Sequence, residues 1–439
     1  MRFTIHLALI VVGMLAFGAF AHAGSTSAHP HEALTPVGNY EVWAVDQSNT
    51  SPDGGGTIAI YPGPALIEGS IEPETIDLAA ETGGLCLEQT GQFPVRPHVV
   101  AFNASRSHAI LSFVATGHVV FFDASSRMPL ACIDAGEQAH AAFPAPDESY
   151  VIVANQNGKR LQRITTDYES NAFELDQAAT LDLATCTTPA GDLCEDPVLR
   201  PDTAPIFPVV DSSSTFTFVT LRGGGLFVVD STATPMAIVA EYDASTIAQT
   251  GLGVTEANGK IYVNSGGASP AHPIGGELYV FRLSDFSAIP AAPNTPAPAR
   301  VFSHEKASGP DSHGLSTVGD GQYLWVVDRA RNAIVVVDVT TDMVVNQIEL
   351  SGTLSPDPAP DLIAVSPDGQ WAFLSLRGET PLTGDIPEHH NAVGSTPGVG
   401  IVRIDDQGKS GSFVGIARMS NVIDGAETSD AHGIAVRDM

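Results

Sequence analysis

The chain has 439 residues, of which 43% are hydrophobic and 16% are charged, so it is long and apolar enough to bury a large core. Its 50 acidic residues outnumber 20 basic ones and give a formal net charge of −30. A field of that sign repels nucleic acid and anionic membrane surfaces, so we expect neither as a partner, whereas it attracts cations. The 42 glycines and 31 prolines favour short strands joined by turns.

The first residues have the pattern of an export signal. Met-Arg precedes an apolar run over residues 7–20, and residues 21–23, Ala-His-Ala, match a signal peptidase site. The run is too short to span a bilayer, so residues 1–23 are predicted to be removed. We expect an exported protein, periplasmic or extracellular, without membrane insertion. Residues 24–38 are predicted to be a flexible leader with His29 and His31.

A degenerate repeat organises the chain from residue 39 onward. Each unit begins with a hairpin, as in residues 361–371, where Ser-Pro-Asp-Gly at 366–369 forms the turn. A third apolar run then ends in an acidic turn, and a fourth run follows. Four short antiparallel strands at a period of roughly 40 to 45 residues are typical of a β-propeller blade.

The two ends of the chain are predicted to complete one blade. Residues 431–436 have the pattern of a first strand with no hairpin partner after it, whereas residues 40–45 and 57–61 match second and third strands without a first. Joining them gives an all-β, seven-bladed propeller over residues 39–439. The ring is then closed by pairing of the C-terminal strand with the N-terminal blade, which also hides the edges of that sheet.

The hairpin units, above all residues 361–369, resemble the YVTN-type seven-bladed β-propeller repeat family. The resemblance covers nearly all of residues 40–439 and implies the fold, but the repeat is hardly specific for function. Departures from the repeat are inserts, at 186–194, 266–276, 290–298 and 377–398.

Four cysteines in an exported chain allow two disulfides. Cys186 and Cys194 bracket a turn-rich segment, and we expect them to close a local loop. Cys86 and Cys132 lie in comparable places of neighbouring repeats and are the candidates for a second bridge. The distance between their β-carbons decides whether that bridge forms, and the sequence does not define it.

Four histidines occupy the same position of the repeat, the start of a first strand: His98, His140, His313 and His432. Asp361 occupies it in a fifth unit, and Ile206 and Leu252 in the other two. In a closed ring these positions meet at one mouth of the central channel. Neutral imidazole suits Zn and Cu, and a carboxylate completes their usual coordination. The five polar residues are therefore candidate ligands of a transition metal, with Asp361 either binding the metal or orienting a ligand.

An alternative role for each histidine is to hydrogen-bond within its blade and hold the repeat in register. Further candidates lie in loops at the same end: His118, His272, His389 and His390, as rim or lid residues or as solvated loop histidines. Three arginines, Arg222, Arg329 and Arg377, close second strands. They could hold a carboxylate or phosphate bidentately, or pair with aspartates of the next blade.

These patterns predict an exported, monomeric binding protein with a His/Asp site at the channel mouth for Zn or Cu, with a small anionic ligand as the second choice. One alternative is an enzyme that uses the same residues, either a hydrolase, since lactonases occur among similar propellers, or a metal-dependent enzyme. Another is a non-catalytic scaffold for protein interaction, although no particular protein partner is indicated. The sequence contains no nucleophile elbow, P-loop or dinucleotide-binding motif.

Overall fold

The computed structural model describes residues 39–69, 72–249, 251–266, 274–286, 292–305, 311–382 and 393–439. The predicted signal and leader, and the candidates His272, His389 and His390, lie outside these ranges. The described part forms seven four-stranded antiparallel sheets. The first strand of each sheet contacts the first strand of the next one around a closed ring. The prediction of a seven-bladed β-propeller is confirmed.

Blade 1 combines the two ends of the chain, and blades 2 and 3 follow it in sequence; the strands of each blade are given from the channel outward. Blade 1 contains β30 (Ala431–Asp438), β1 (Tyr40–Asp46), β2 (Thr57–Pro62) and β3 (Glu74–Asp77). Blade 2 contains β4 (Pro97–Phe102), β5 (His108–Phe113), β6 (His118–Asp123) and β7 (Pro129–Asp134). Blade 3 contains β8 (Ala139–Pro144), β9 (Tyr150–Asn155), β10 (Arg160–Asp167) and β11 (Ala172–Asp182).

The remaining four blades follow in chain order. Blade 4 contains β12 (Pro205–Val210), β13 (Phe216–Leu221), β14 (Leu226–Asp230) and β15 (Ala237–Tyr242). Blade 5 contains β16 (Val254–Ala257), β17 (Lys260–Asn264), β18 (Ile274–Arg282) and β19 (Ala299–Glu305). Blade 6 contains β20 (Ser312–Val318), β21 (Tyr323–Asp328), β22 (Ala333–Asp338) and β23 (Met343–Glu349). Blade 7 contains β24 (Pro360–Val365), β25 (Trp371–Leu376), β26 (Gly398–Asp405) and β27 (Ser410–Arg418).

The core lies between adjacent blades. The middle strands read as nearly continuous apolar runs, as in Ala-Ile-Val-Val-Val-Asp of β22, because each sheet is covered on both faces by its neighbours. Trp325 on β21, for example, is fully buried and donates its indole N–H to the carbonyl of Gly408 in the next blade, at 2.7 Å. Inter-blade burial of this kind stabilises the ring.

The ring closes by strand pairing, as the sequence predicts. Strand β30 pairs antiparallel with β1, from Tyr40 opposite Asp438 to Asp46 opposite Ala431. The last strand of the chain is thus the innermost strand of blade 1. It carries His432 to the channel mouth.

The helix α2 (Leu78–Thr90), between β3 and β4, is not predicted by the repeat. Its N-cap is Asp77, whose carboxylate accepts the backbone N–H groups of Ala79 and Ala80, and Gly91 ends it in the left-handed conformation. Within the described ranges, the other helical segments are α1 (Gly63–Glu68) and two 3₁₀ turns (Leu283–Asp285 and Asp406–Gly408). A small hairpin pairs β28 (Val422–Ile423) with β29 (Ala426–Glu427). None of the helices in the described ranges has the length and apolarity to cross a membrane.

Both expected disulfides are present. Cys186 and Cys194 are joined with a Cα–Cα distance of 5.3 Å, and Cys86 and Cys132 with 5.2 Å. The expectation that Cys86 and Cys132 occupy comparable places in two repeats is wrong. Cys86 lies on α2, whereas Cys132 lies on the outer strand β7, so the bridge fastens the helix to the rim of blade 2.

Candidate functional site

A cavity of about 330 Å³ lies where the first strands begin. The four repeat histidines line it, and so do Ile206 and Leu252 from the two blades without a polar residue at this position. The cavity lining thus includes six of the seven side chains at this repeat position. Asp361 is fully buried beside the cavity.

Each polar residue sits at a β-bulge. The pairing of the first strand with its neighbour shifts register at this point in six blades, between Pro97 and Val100, for example, and between Ser312 and Leu315; blade 4 has the same shift at Ile206. The same shift occurs at His140, Asp361 and His432. A bulged residue has no ladder partner and can point its side chain away from the sheet. The bulge thus explains how one repeat position delivers five side chains to one place.

Three of the five residues form a compact group that we call the carboxylate triad: His313, Asp361 and His432. Their candidate ligand atoms all lie within 4.8 Å of one another, and all three side chains are buried. Nε2 of His313 is 2.7 Å from Oδ1 of Asp361, and Nε2 of His432 is 3.5 Å from Oδ2. Nδ1 of His313 is buried and has no hydrogen-bond partner among the described residues.

The other two histidines, His98 and His140, form what we call the imidazole pair. Their Nε2 atoms face each other at 3.3 Å. Nδ1 of His98 lies 2.8 Å from the side-chain oxygen of Gln47, and Nδ1 of His140 lies 3.0 Å from the carbonyl of Ile206. Both partners accept hydrogen bonds, so each Nδ1 carries the proton and each neutral ring presents a lone pair at Nε2.

The orientation of Gln47 is determined by its other contact. Its amide nitrogen donates to Oδ2 of Asp430 at 3.2 Å, which leaves the amide oxygen facing His98. His432 joins the pair to the triad, because its ring stacks on that of His98 with centroids 3.7 Å apart. Nδ1 of His432 is also 3.2 Å from the carbonyl of His98, so its proton is held on Nδ1 as well.

The predicted arginines all bond aspartates. Arg377 donates to both oxygens of Asp430, at 2.6 and 2.7 Å, and to Asp361 at 2.6 Å. Arg329 donates to Asp311 at 2.7 Å and to Asp361 at 3.3 Å. Two guanidinium groups therefore hold the carboxylate at the centre of the site.

Arg222 differs from the other two because its side chain is 43% exposed. It pairs with Asp202 and contacts the amide oxygen of Asn157. Arg222 and Arg329 line the cavity, whereas Arg377 is not among its lining residues.

Burial and neighbouring charge set the protonation of the site. Burial disfavours ionisation of Asp361, but the adjacent His313 and His432 and the two guanidinium groups outweigh it and hold the pKa of Asp361 well below its usual range. Burial lowers the pKa of His140 to about 4, and burial and the neighbouring histidines lower the pKa of His98 strongly. Both rings of the imidazole pair are therefore neutral at physiological pH.

His118 does not line the cavity. Its ring is buried between Thr116 and Thr90, with Nδ1 2.8 Å and Nε2 2.9 Å from the two hydroxyl oxygens. It therefore connects blade 2 with α2.

Sequence reasoning missed several residues that complete the site. Gln47 follows the second strand of blade 1, at the position that the three arginines have in their own blades. Arg96, Asp311 and Asp430 each precede a histidine by two residues. Two further positions of the repeat therefore carry site residues: the one after the second strand and the one two residues before the histidine. Comparing these positions across the blades identifies Gln47, Arg96, Asp311 and Asp430.

The fold and site define a class: a seven-bladed β-propeller in which bulges at the first strands direct histidines and an aspartate into one channel mouth. No family model and no curated protein matches the chain. Solved structures with the same fold include a candidate 6-phosphogluconolactonase from Bacteroides fragilis, at 11% identity and a TM-score of 0.54, which aligns over 91% of this chain and 98% of its own.

A functionally unknown protein from Desulfotomaculum acetoxidans is similar at 11% identity and a TM-score of 0.56, over 91% of this chain and 99% of its own. A protein from Lactobacillus plantarum is similar at 10% identity and a TM-score of 0.55, with the same coverage. At these identities the likeness concerns the fold alone.

Proposed function

We propose that this protein binds a transition metal, Zn²⁺ or Cu, at the channel mouth, with ligands drawn from the imidazole pair and the carboxylate triad. The observation that carries the proposal is the 3.3 Å approach of two imidazole Nε2 atoms whose protons are both held on Nδ1. Metal–nitrogen bonds of about 2.0 to 2.1 Å in a tetrahedral site separate two ligand nitrogens by about 3.3 to 3.4 Å.

Two lone pairs that face each other repel, and a cation between them removes the repulsion. A metal ion and a shared proton are the competing occupants of that position. The Nδ1 contacts of His98, His140 and His432 favour the metal, because ligating histidines usually donate their second N–H to a carbonyl, carboxylate or other acceptor that fixes the ring.

The surrounding charges also support a cation. The two buried guanidinium groups near the site are those of Arg329 and Arg377, and they are shared among three carboxylates, those of Asp311, Asp361 and Asp430. The buried carboxylates thus outnumber the buried guanidinium groups. The acidic surface of the whole chain would also raise the local concentration of cations.

The test is metal binding by untagged protein that has been stripped with a chelator and desalted. Titration with Zn²⁺ and Cu²⁺ against a chromophoric competitor should show one tight site. The double variant His98→Ala/His140→Ala should lose at least about 100-fold in affinity, since it removes two ligands. His118→Ala, which removes a buried histidine outside the site, is the control and should bind as the native protein does.

The proposal fails if the native protein binds neither ion, or if the double variant retains the native affinity while its circular dichroism shows a folded propeller. The variant His432→Ala distinguishes the imidazole pair from the carboxylate triad. If this variant loses metal affinity and His98→Ala/His140→Ala does not, the metal binds at the carboxylate triad.

We also infer that the chain is exported and is a divergent, monomeric member of the YVTN-type repeat family. Two disulfides suit an oxidising compartment. The blade hairpins support the family assignment through the turn at residues 366–369. N-terminal sequencing of the secreted or periplasmic protein tests export, with residue 24 as the expected first residue, and light scattering tests the oligomeric state.

A further inference from the structure

The cavity at the channel mouth has an unusual charge for this chain. Arg96, Arg222 and Arg329 line it, and none of the lining residues within the described ranges is an aspartate or glutamate. Arg222 and Arg329 are paired with aspartates behind the cavity wall, so Arg96 is the lining guanidinium group that most favours an anionic ligand.

Arg96 differs from the other two because, among the described residues, the carboxylate of Asp430 acts on its charge without forming an ion pair with it. Its guanidinium group makes no hydrogen bond or ion pair with any residue in the described part of the chain, and its Nε is buried. A buried donor without an acceptor is costly, and such a group in a cavity indicates a missing ligand.

The place of Arg96 in the fold puts its side chain at the cavity. It lies directly before β4, two residues ahead of His98, and lines the cavity together with that histidine. Its φ of 62° is similar to that of turn residues elsewhere in the chain, such as Arg106.

The remaining walls suit a small organic molecule. Three amide side chains, those of Gln138, Gln156 and Asn157, offer both donors and acceptors, while Ile206 and Leu252 supply apolar surface. A volume of about 330 Å³ is at the small end of the range for ligand pockets.

We propose that this cavity binds a small hydroxylated organic acid with one or more carboxylates, with Arg96 as the principal anchor. A guanidinium group holds a carboxylate through two parallel N–H···O bonds, and the amides fit hydroxyl groups or a second carboxylate. The inference goes beyond the proposed metal site, since it requires no metal.

Calorimetric titration of metal-stripped protein with citrate and with malate tests this inference. Both should bind, and the variant Arg96→Gln should lose at least about 10-fold in affinity, because it removes a bidentate charged anchor. Arg106→Gln is the matched control: Arg106 follows the same strand β4, has a φ of 59°, is exposed and does not line this cavity. It should leave the affinity unchanged.

Three results would overturn the inference: no heat with either acid, equal losses in the two variants, or inorganic phosphate binding more tightly than both acids. The last result would assign the cavity to a phosphate. Metal titration of Arg96→Gln separates this inference from the proposed function, because that variant should retain the native affinity for Zn²⁺ or Cu²⁺ even where its affinity for citrate is lost.

Discussion

Replacing Arg377 with methionine tests how far buried charge holds the channel mouth together. The side chain is fully buried and donates three hydrogen bonds, two to Asp430 and one to Asp361, all between 2.6 and 2.7 Å. Methionine has a comparable length and no charge. The variant therefore leaves two buried carboxylates with one fewer cation between them.

The expected loss in free energy of unfolding depends on the partners that the two carboxylates retain in the variant. Breaking a buried ion pair by removing one partner costs about 3 to 5 kcal/mol. Asp361 keeps Arg329 and His313 as neighbours, and Asp430 keeps the amide of Gln47. We therefore expect a loss near the lower end, about 3 kcal/mol at pH 7.

The loss should also depend on pH. The folded-state pKa of Asp361 lies below its unfolded value, so its contribution to stability is present above about pH 4 and is lost as the pH falls through the folded-state pKa. Removing Arg377 raises that folded-state pKa. The variant then takes up a proton earlier on acidification, and the difference in free energy of unfolding between native protein and variant should shrink as the pH falls below about 4, between pH 7 and pH 3.

The assay is guanidinium chloride unfolding at both pH values, with Arg403→Met as the control. Arg403 pairs with Asp405, and both side chains are about one-third exposed, so this loss should stay below about 1 kcal/mol. The reasoning is refuted if Arg377→Met costs no more than the control at pH 7, or if its cost is the same at pH 7 and pH 3.

Two further predictions concern stability. Replacing both cysteines of a bridge by serine should lower the free energy of unfolding by about 4 kcal/mol for Cys86–Cys132 and by about 2.5 kcal/mol for Cys186–Cys194, because the bridges span 46 and 8 residues. Denaturant unfolding measures both losses, and equal losses would contradict the dependence on loop length. Burial, and then the carboxylate of Asp311, raise the pKa of Asp328 to about 6, so the contribution of Asp328 to stability is lost as the pH rises through 6. The free energy of unfolding of Asp328→Asn, measured relative to that of the native protein, should therefore rise by up to about 3 kcal/mol from pH 4 to pH 8. A difference in unfolding midpoint that does not change with pH would contradict this prediction.

Most of the fold could be predicted because blades are local. Each hairpin and its two following strands are contiguous in sequence, and their apolar runs and turns repeat with one period. Ring closure was predictable for the same reason, since residues 431–436 lack a hairpin partner and residues 40–45 lack a first strand. Helix α2 was not predictable from the period, because it takes the place of a loop and is secured by Asp77 and by the bridge of Cys86.

The site was predictable in its membership but not in its geometry. Equivalent positions of equivalent blades converge on one mouth, which brings the four histidines and Asp361 together. The division of these residues into the imidazole pair and the carboxylate triad depends on β-bulges and on ring stacking between blades. No local sequence pattern predicts either feature. Gln47 shows the same limit, since its role comes from a contact 51 positions away, with His98.

The closing strand β30 couples the architecture of the ring to the composition of the candidate site. It carries His432 and is preceded directly by Asp430, the partner of Arg377. Its pairing with β1 therefore both completes blade 1 and completes the carboxylate triad. One strand, paired across nearly the whole length of the chain, joins the integrity of the fold to the geometry of the site.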